Sequence, residues 1–220
     1  TFKDDPQGLT RLMNRLLTPL TNSIIDRKGT IDKYIGDAIM AFWNAPLDEP
    51  DHAKSACAAA LAMLERLGQL NAELADEARQ AGRAHMPIAI GIGLNTAICC
   101  VGNMGSQQRF DYSVLGDGVN LASRLEGQTK AYGVAALIGQ ETRSLAPDFA
   151  ALEVDLIRVK GKTEPARVYA LLGGPERARS DAFRALDALQ SGFLVAYRAA
   201  QWDAAERALL NDFIREYRES

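Results

Sequence analysis

What this 220-residue chain lacks narrows its possibilities first. No uninterrupted apolar run approaches the roughly 20 residues that a membrane-spanning helix requires. The opening TFKDDPQG has no basic stretch followed by an apolar core, so nothing there reads as a secretory leader. Positive charge is not in excess: 25 Lys and Arg stand against 28 Asp and Glu, for a formal net charge of -3. That balance argues against a nucleic-acid binder working by broad phosphate neutralisation, and any anion site must be local. Cysteine is sparse. Cys57, Cys99 and Cys100 are an odd number with neither zinc-type spacing nor a disulfide framework. Histidine is rarer still, and His52 has no second His or Cys at metal-ligand spacing, so it reads as a residue at a helix start. These absences predict a soluble, cytoplasmic chain, or the cytoplasmic domain of a membrane-anchored protein, that carries no membrane segment of its own and binds no nucleic acid.

With 47% hydrophobic and 24% charged residues, the chain can bury a sizeable core. Apolar residues at three- and four-residue steps predict a helix over 9–25. An alanine-rich segment with an acidic, proline-bearing start, EPDHAKSACAAALAMLERLGQLNAELADEARQ, predicts a long second helix. MPIAIGIGLNTAICCVGNMGS reads as a buried strand, a turn and a second strand, with glycines where backbones approach closely. RFDYSVLGDGVNLASRLEG passes from a strand through Gly116-Asp117-Gly118 into a helix. VAALIG, a short helix at GQETRSL, and two strands flanking a basic tip in ALEVDLIRVKGKTEPARVYALLG complete the series. The order predicts an α+β fold with an extended sheet, over residues 1–172. Gly173-Gly174-Pro175 reads as a hinge before a tail, residues 173–220, that is helical and broken near Ser191-Gly192 and at Gln201-Trp202-Asp203. The tail resembles one helix-turn-helix unit of a tetratricopeptide-type repeat, but one unit gives no period, and a helical cap over the sheet is the simpler expectation.

Three places carry polar groups that could converge. In GTIDKYIGDAIMAFWNAP a Gly-Asp pair interrupts two short runs of β-branched and aromatic residues, which signals a two-residue hairpin with Asp37 at its tip and Lys33 on the strand before it. Asn120 and Arg124, at i and i+4, share one helix face, while Leu121 and Leu125 lie about 100° further round and would take the buried face. Ser113 stands on the strand just before them. Lys160 and Lys162 put two cations at a turn. Singly, each has a purely local explanation: a turn carboxylate, a solvated helix face, an edge-protecting lysine tip. Together they are the parts needed to bind a metal-bound polyphosphate.

GTIDKYIGDAIMAFWNAP, IGIGLNTAICCVGNMGSQQRFDYSVLGDGVNLASRLEG and RVKGKTEPARVYAL, in that order, closely resemble the class III nucleotidyl cyclase catalytic domain of the bacterial adenylate cyclase kind. The resemblance covers roughly residues 2–172 and not the tail. It implies a ferredoxin-like palm that works as a head-to-tail homodimer, with two active sites between subunits, in a larger signalling protein. By motif position Asp37 corresponds to the second of two metal-binding aspartates for Mg²⁺ or Mn²⁺. Lys33 and Ser113 correspond to the purine-selecting pair, with ATP the favoured substrate; because a serine can also donate, the expectation is preference and not exclusion, and a cyclase of relaxed purine choice or GTP specificity is the remoter alternative. Asn120 corresponds to the residue orienting the ribose, and Arg124 to the one stabilising charge on the α-phosphoryl oxygens. Lys160 corresponds to the lysine holding the β- and γ-phosphates, with Lys162 close enough to leave that choice open.

The family pattern also has a strand of the type F-x-D-I-R-x-F-T before the first helix, carrying the first metal aspartate, and this sequence begins after where that strand ends. Asp4 and Asp5 lie in a Pro-containing lead-in without strand context and are not assigned that role. The expectation is an excerpt of a longer enzyme, with low or no activity as it stands. Two rival readings are a non-catalytic regulatory or dimerisation module of the same fold, against which the retention of Lys33, Asp37, Asn120 and Arg124 speaks, and a diguanylate cyclase, for which no GGDEF-like tip occurs.

Overall fold

The computed structural model describes residues 5–106, 108–157, 165–203 and 205. Helix α1, Pro6–Ile25, starts where Asp5 accepts a hydrogen bond from the Gly8 amide at 2.7 Å. Such a cap contributes about 1 kcal/mol. Asp5 is thus a helix cap. A hairpin follows, β1 (Thr30–Ile35) and β2 (Ala38–Phe42), then the long helix α2, His52–Gln80. Next come β3 (Ile92–Leu94), the hairpin β4 (Cys100–Gly105) and β5 (Phe110–Leu115), and helix α3 (Asp117–Gln128). The remainder is β6 (Ala136–Gly139), α4 (Gln140–Leu145), β7 (Ala150–Ile157), β8 (Ala166–Gly173), α5 (Pro175–Arg179) and α6 (Asp181–Arg198). This is the expected mixture of helix and strand in the expected order.

The central sheet has the order β3-β6-β8-β7, with β3 and β6 parallel and the other pairs antiparallel. Every residue of β6 is buried, as an unbroken apolar run between two helical layers should be. Its alternate residues face opposite ways. Ala136 and Ile138 pack with Ala53, Cys57 and Ala60 of α2, whereas Leu137 packs with Leu121 and Leu125 of α3. The small residues of α2 let that helix lie close to the sheet. Its more distal Leu67 and Leu70 pack instead against Leu16 and Leu20 of α1, with Ile39 of β2 beside them.

One expectation is corrected. Among the described residues the ladders are three rather than one extended sheet, because β1-β2 and β4-β5 pair there only within themselves. A continuous sheet would need a strand hydrogen-bonded to both β2 and β3, and the described residues contain none. The tail is also corrected in part: α6 runs unbroken through Ser191 and Gly192 to Arg198, since the i to i−4 ladder tolerates one exposed glycine at a cost of about 1 kcal/mol. The interruption falls at Ala199–Gln201, where Ala200 has a φ of 55°. The helix lies along β7, with the Gln190 side chain donating to the Glu153 carbonyl at 2.9 Å and Arg198 pairing with the Glu153 carboxylate. That is the arrangement of a cap against the sheet. The basic tip with Lys160 and Lys162 lies outside the described residues.

Candidate active site

The hairpin at Gly36-Asp37 forms as its sequence predicts. Ile35 pairs with Ala38, and the two intervening residues make the turn. Gly36 has a φ of 64°, the left-handed conformation that a tight hairpin turn requires at its first central position. Asp37 is exposed at the tip, and its carboxylate makes no hydrogen bond or ion pair among the described residues. An unpaired hard-oxygen donor on a two-residue turn fits one ligand of an Mg²⁺- or Mn²⁺-type site. It does not make a whole site: the described residues contain no group of three or more His, Cys, Asp or Glu side chains placed to hold a metal.

The rest of β1 holds a residue that sequence reasoning passed over. The β1-β2 register slips between Ile31 and Lys33, leaving Asp32 as the extra residue of a bulge. Bulges re-aim side chains. The Asp32 carboxylate is fully buried, with 0% exposure, and meets β5. Its Oδ2 accepts from the Ser113 hydroxyl at 2.6 Å and from the Val114 amide at 3.3 Å. Its Oδ1 has Lys33 Nζ at 3.2 Å but receives no well-aligned hydrogen bond. One carboxylate therefore ties Lys33 to Ser113, which is 80 positions away. A sequence signal was available: in TIDKYI two adjacent charges break the alternation that a regular strand shows.

Lys33 remains partly exposed, at 41% of its side chain, while Ser113 is 5% exposed. From Ser113 the chain runs directly through Leu115 and Gly116 into α3. There the face division is as the i, i+4 spacing predicts: Asn120 and Arg124 are exposed, Leu121 and Leu125 buried. Neither the Asn120 nor the Arg124 side chain has a hydrogen-bond partner among the described residues, so both are free to engage a ligand. The helix is held close to the sheet by Gly93. A Cβ there would stand 2.1 Å from the Ala122 carbonyl oxygen and 2.4 Å from the Glu126 nitrogen, so only glycine admits this approach.

The structure thus joins Lys33 and Ser113 through Asp32, and presents Asn120 and Arg124 on the helix that follows Ser113. Asp37 stands on the same hairpin as Lys33, at its far end. Two hairpins meet here: β1 contacts β5, and the Phe42 and Tyr112 rings lie 6.0 Å apart, centroid to centroid.

Residues 1–173 match the family described as the adenylate and guanylate cyclase catalytic domain. The chain belongs to this family. Among curated relatives of this cyclase domain, an adenylate cyclase of Anabaena cylindrica is 37% identical over 172 residues, covering 75% of this chain and 32% of that protein. Adenylate cyclase 1 of Rhizobium meliloti is 31% identical over 169 residues, covering 76% of this chain and 24% of that protein. The chain therefore spans well under half the length of these relatives. Among solved structures, the adenylyl cyclase CyaB from P. aeruginosa is 31% identical with a TM-score of 0.63, covering 78% of this chain and 86% of that one. The guanylyl cyclase Cya2 is 28% identical with a TM-score of 0.66, covering 78% and 84% respectively. Solved cyclases of both purine types thus share the fold. No helix among the described residues is long and apolar enough to cross a membrane.

Proposed function

We propose that this cyclase domain converts ATP to 3′,5′-cyclic AMP and pyrophosphate, as the catalytic part of a larger signalling protein and as a homodimer with its active sites between subunits. The observation that carries the proposal is the pairing of Lys33 with Ser113 across the Asp32 carboxylate, directly before a helix with an uncommitted Asn120 and Arg124. Those are the groups needed to read a purine, seat a ribose and meet a phosphoryl group.

Lys33 is a donor suited to adenine N1, and the Ser113 oxygen can accept from the N6 amino group. Guanine reverses both positions, which makes ATP the preferred substrate. Asn120 holds the ribose so that its 3′-oxygen lies in line with the α-phosphorus. Placement of this kind converts an unfavourable encounter into a near-attack geometry. The 3′-oxygen bonds to the α-phosphorus, the bond to the bridging β-oxygen breaks, pyrophosphate departs, and the hydroxyl proton ends on solvent or pyrophosphate. Arg124 lies on the α-phosphoryl oxygens, where charge gathers in the transition state. Preorganised charge at such a position lowers a barrier by about 3–4 kcal/mol. Lys160 or Lys162 holds the β- and γ-phosphates. Asp37, with a second carboxylate, would hold divalent ions, whose charge would neutralise the triphosphate and acidify the 3′-hydroxyl.

Exposed apolar side chains on the two hairpins, Tyr34, Ile35, Phe110 and Leu115, support a subunit interface beside these groups. The test is cyclic nucleotide formation from ATP and GTP with Mn²⁺, in this chain and in a form extended upstream. Cyclic AMP as the main product supports the proposal. Cyclic GMP as the main product overturns the purine assignment, and no product from either form overturns the catalytic one.

A further inference from the structure

Asp32 is a fully buried carboxylate placed by a strand bulge between two groups that would read the base, and nothing in the catalytic scheme uses it. Its effect on Ser113 is specific. A carboxylate can only accept, so the Ser113 hydroxyl must be the donor in the 2.6 Å bond to Oδ2. The one proton that Ser113 could offer is thereby committed, and what remains on its oxygen is acceptor capacity. Ser113 is 5% exposed, so little of the residue is open to a ligand, and the direction of the O–H bond decides what its oxygen can offer. On its other side Oδ1 lies 3.2 Å from Lys33 Nζ, an ion pair that biases the ammonium toward the same edge. A free serine hydroxyl would rotate to donate to a 6-keto group as readily as it accepts from a 6-amino group.

We infer that Asp32 is a specificity-determining positioning residue: it sets the polarity of the purine-reading edge, Lys33 as donor and Ser113 as obligate acceptor, and so selects a 6-amino over a 6-keto purine. The inference rests on the assignment of Lys33 and Ser113 to base recognition, and it sharpens that assignment. Serine alone would give weak discrimination, because sites without a dedicated polar group separate near-isosteres poorly. Serine with its proton held elsewhere discriminates as an acceptor should, since a 6-keto oxygen then faces only lone pairs.

The test compares equilibrium binding of 3′-deoxy-ATP and 3′-deoxy-ITP, which differ only at purine positions 6 and 1 and lack the attacking hydroxyl, so no turnover intervenes. Binding is read by calorimetry with Mn²⁺ on the chain and two variants. In Asp32→Ala the Ser113 hydroxyl is free and Lys33 loses its anchor, and the preference for the adenine nucleotide should fall about fivefold or more. In Asp32→Asn the amide oxygen can still accept from Ser113 and Val114, but its NH₂ faces Lys33 Nζ. There the preference should fall less, about threefold. A merely structural role for Asp32 would weaken both nucleotides equally and leave their ratio alone. Thermal unfolding reports whether each variant is folded, and if the alanine variant is not, the asparagine variant alone decides. If the unaltered chain binds both nucleotides equally or binds neither, the base-reading role of Lys33 and Ser113 fails, and this inference with it. If the unaltered chain prefers the adenine nucleotide and the folded variants keep its ratio, the base-reading role stands and the role of Asp32 is overturned.

Discussion

Replacing Gly93 by alanine tests whether the close seating of α3 positions the face that carries Asn120 and Arg124, the groups proposed to act on the ribose and the α-phosphoryl group. The new Cβ would meet the Ala122 carbonyl oxygen at 2.1 Å, whereas ordinary contact begins at 3.4 Å, so about 1.3 Å must be found. The Glu126 nitrogen at 2.4 Å blocks the neighbouring direction. Both atoms belong to the backbone of α3, and no side chain can rotate away to relieve them. The helix must therefore rise from β3 by roughly 1 Å, carrying Asn120 and Arg124 with it. Misplacement of that size in a positioned catalytic group can cost about 100-fold in rate. Forcing a methyl group into a packed contact costs about 1–3 kcal/mol in stability. The assay is the initial rate of cyclic AMP formation in the form extended upstream, beside a thermal unfolding curve, with Gly68→Ala as control. Gly68 lies in α2 and a Cβ there has no neighbour within 4 Å, so the control should keep full activity and gain slightly in stability. A folded Gly93→Ala variant with unchanged turnover would refute the claim that this contact sets the position of the α3 face.

In the form extended upstream, Arg124→Ala should lower turnover by about 100- to 1,000-fold and leave the unfolding temperature unchanged, because the side chain is exposed and partnerless among the described residues. A matching loss of stability would count against a catalytic role. In the form extended upstream, Asp37→Ala should abolish Mn²⁺-dependent turnover with a stability change within about 0.5 kcal/mol, as measured by urea unfolding. The carboxylate stands exposed at a turn whose conformation depends on Gly36. Burial pushes the Cys57 thiol from its ordinary 9.0 up to about 12. A thiol held neutral in the folded state contributes stability that is complete below pH 9 and is lost as pH rises toward 12. Unfolding free energy should thus fall over that window, with a shallower slope in Cys57→Ala. Iodoacetamide at pH 8 should modify the exposed Cys100 and spare Cys57 until the chain unfolds.

Local physics wrote several features into the sequence directly. The turn at Gly36-Asp37 follows from a backbone conformation that glycine adopts without strain. The opposite exposure of Asn120 and Leu121, and of Arg124 and Leu125, follows from the helical period once α3 is known to pack on one face. The order of helices and strands was legible for the same reason, since each depends on residues within a turn or two. The unbroken passage of α6 through Ser191-Gly192 was not, because docking on β7 through Gln190 and Arg198 outweighs a local break signal. Nor was the division of the strands into three ladders, which depends on which edges find partners.

Asp32 marks the boundary most sharply. The sequence showed an acid next to Lys33 within a strand, and nothing in that neighbourhood says what the acid touches. Its function is decided by a register slip against β2 and by the arrival of Ser113 from 81 residues away. Sequence by itself determined the chemical inventory and the face on which each local element presents it, because propensity and period act over a few residues. Only the tertiary structure decided which oxygen holds which proton, because that depends on the meeting of distant strands around a buried charge.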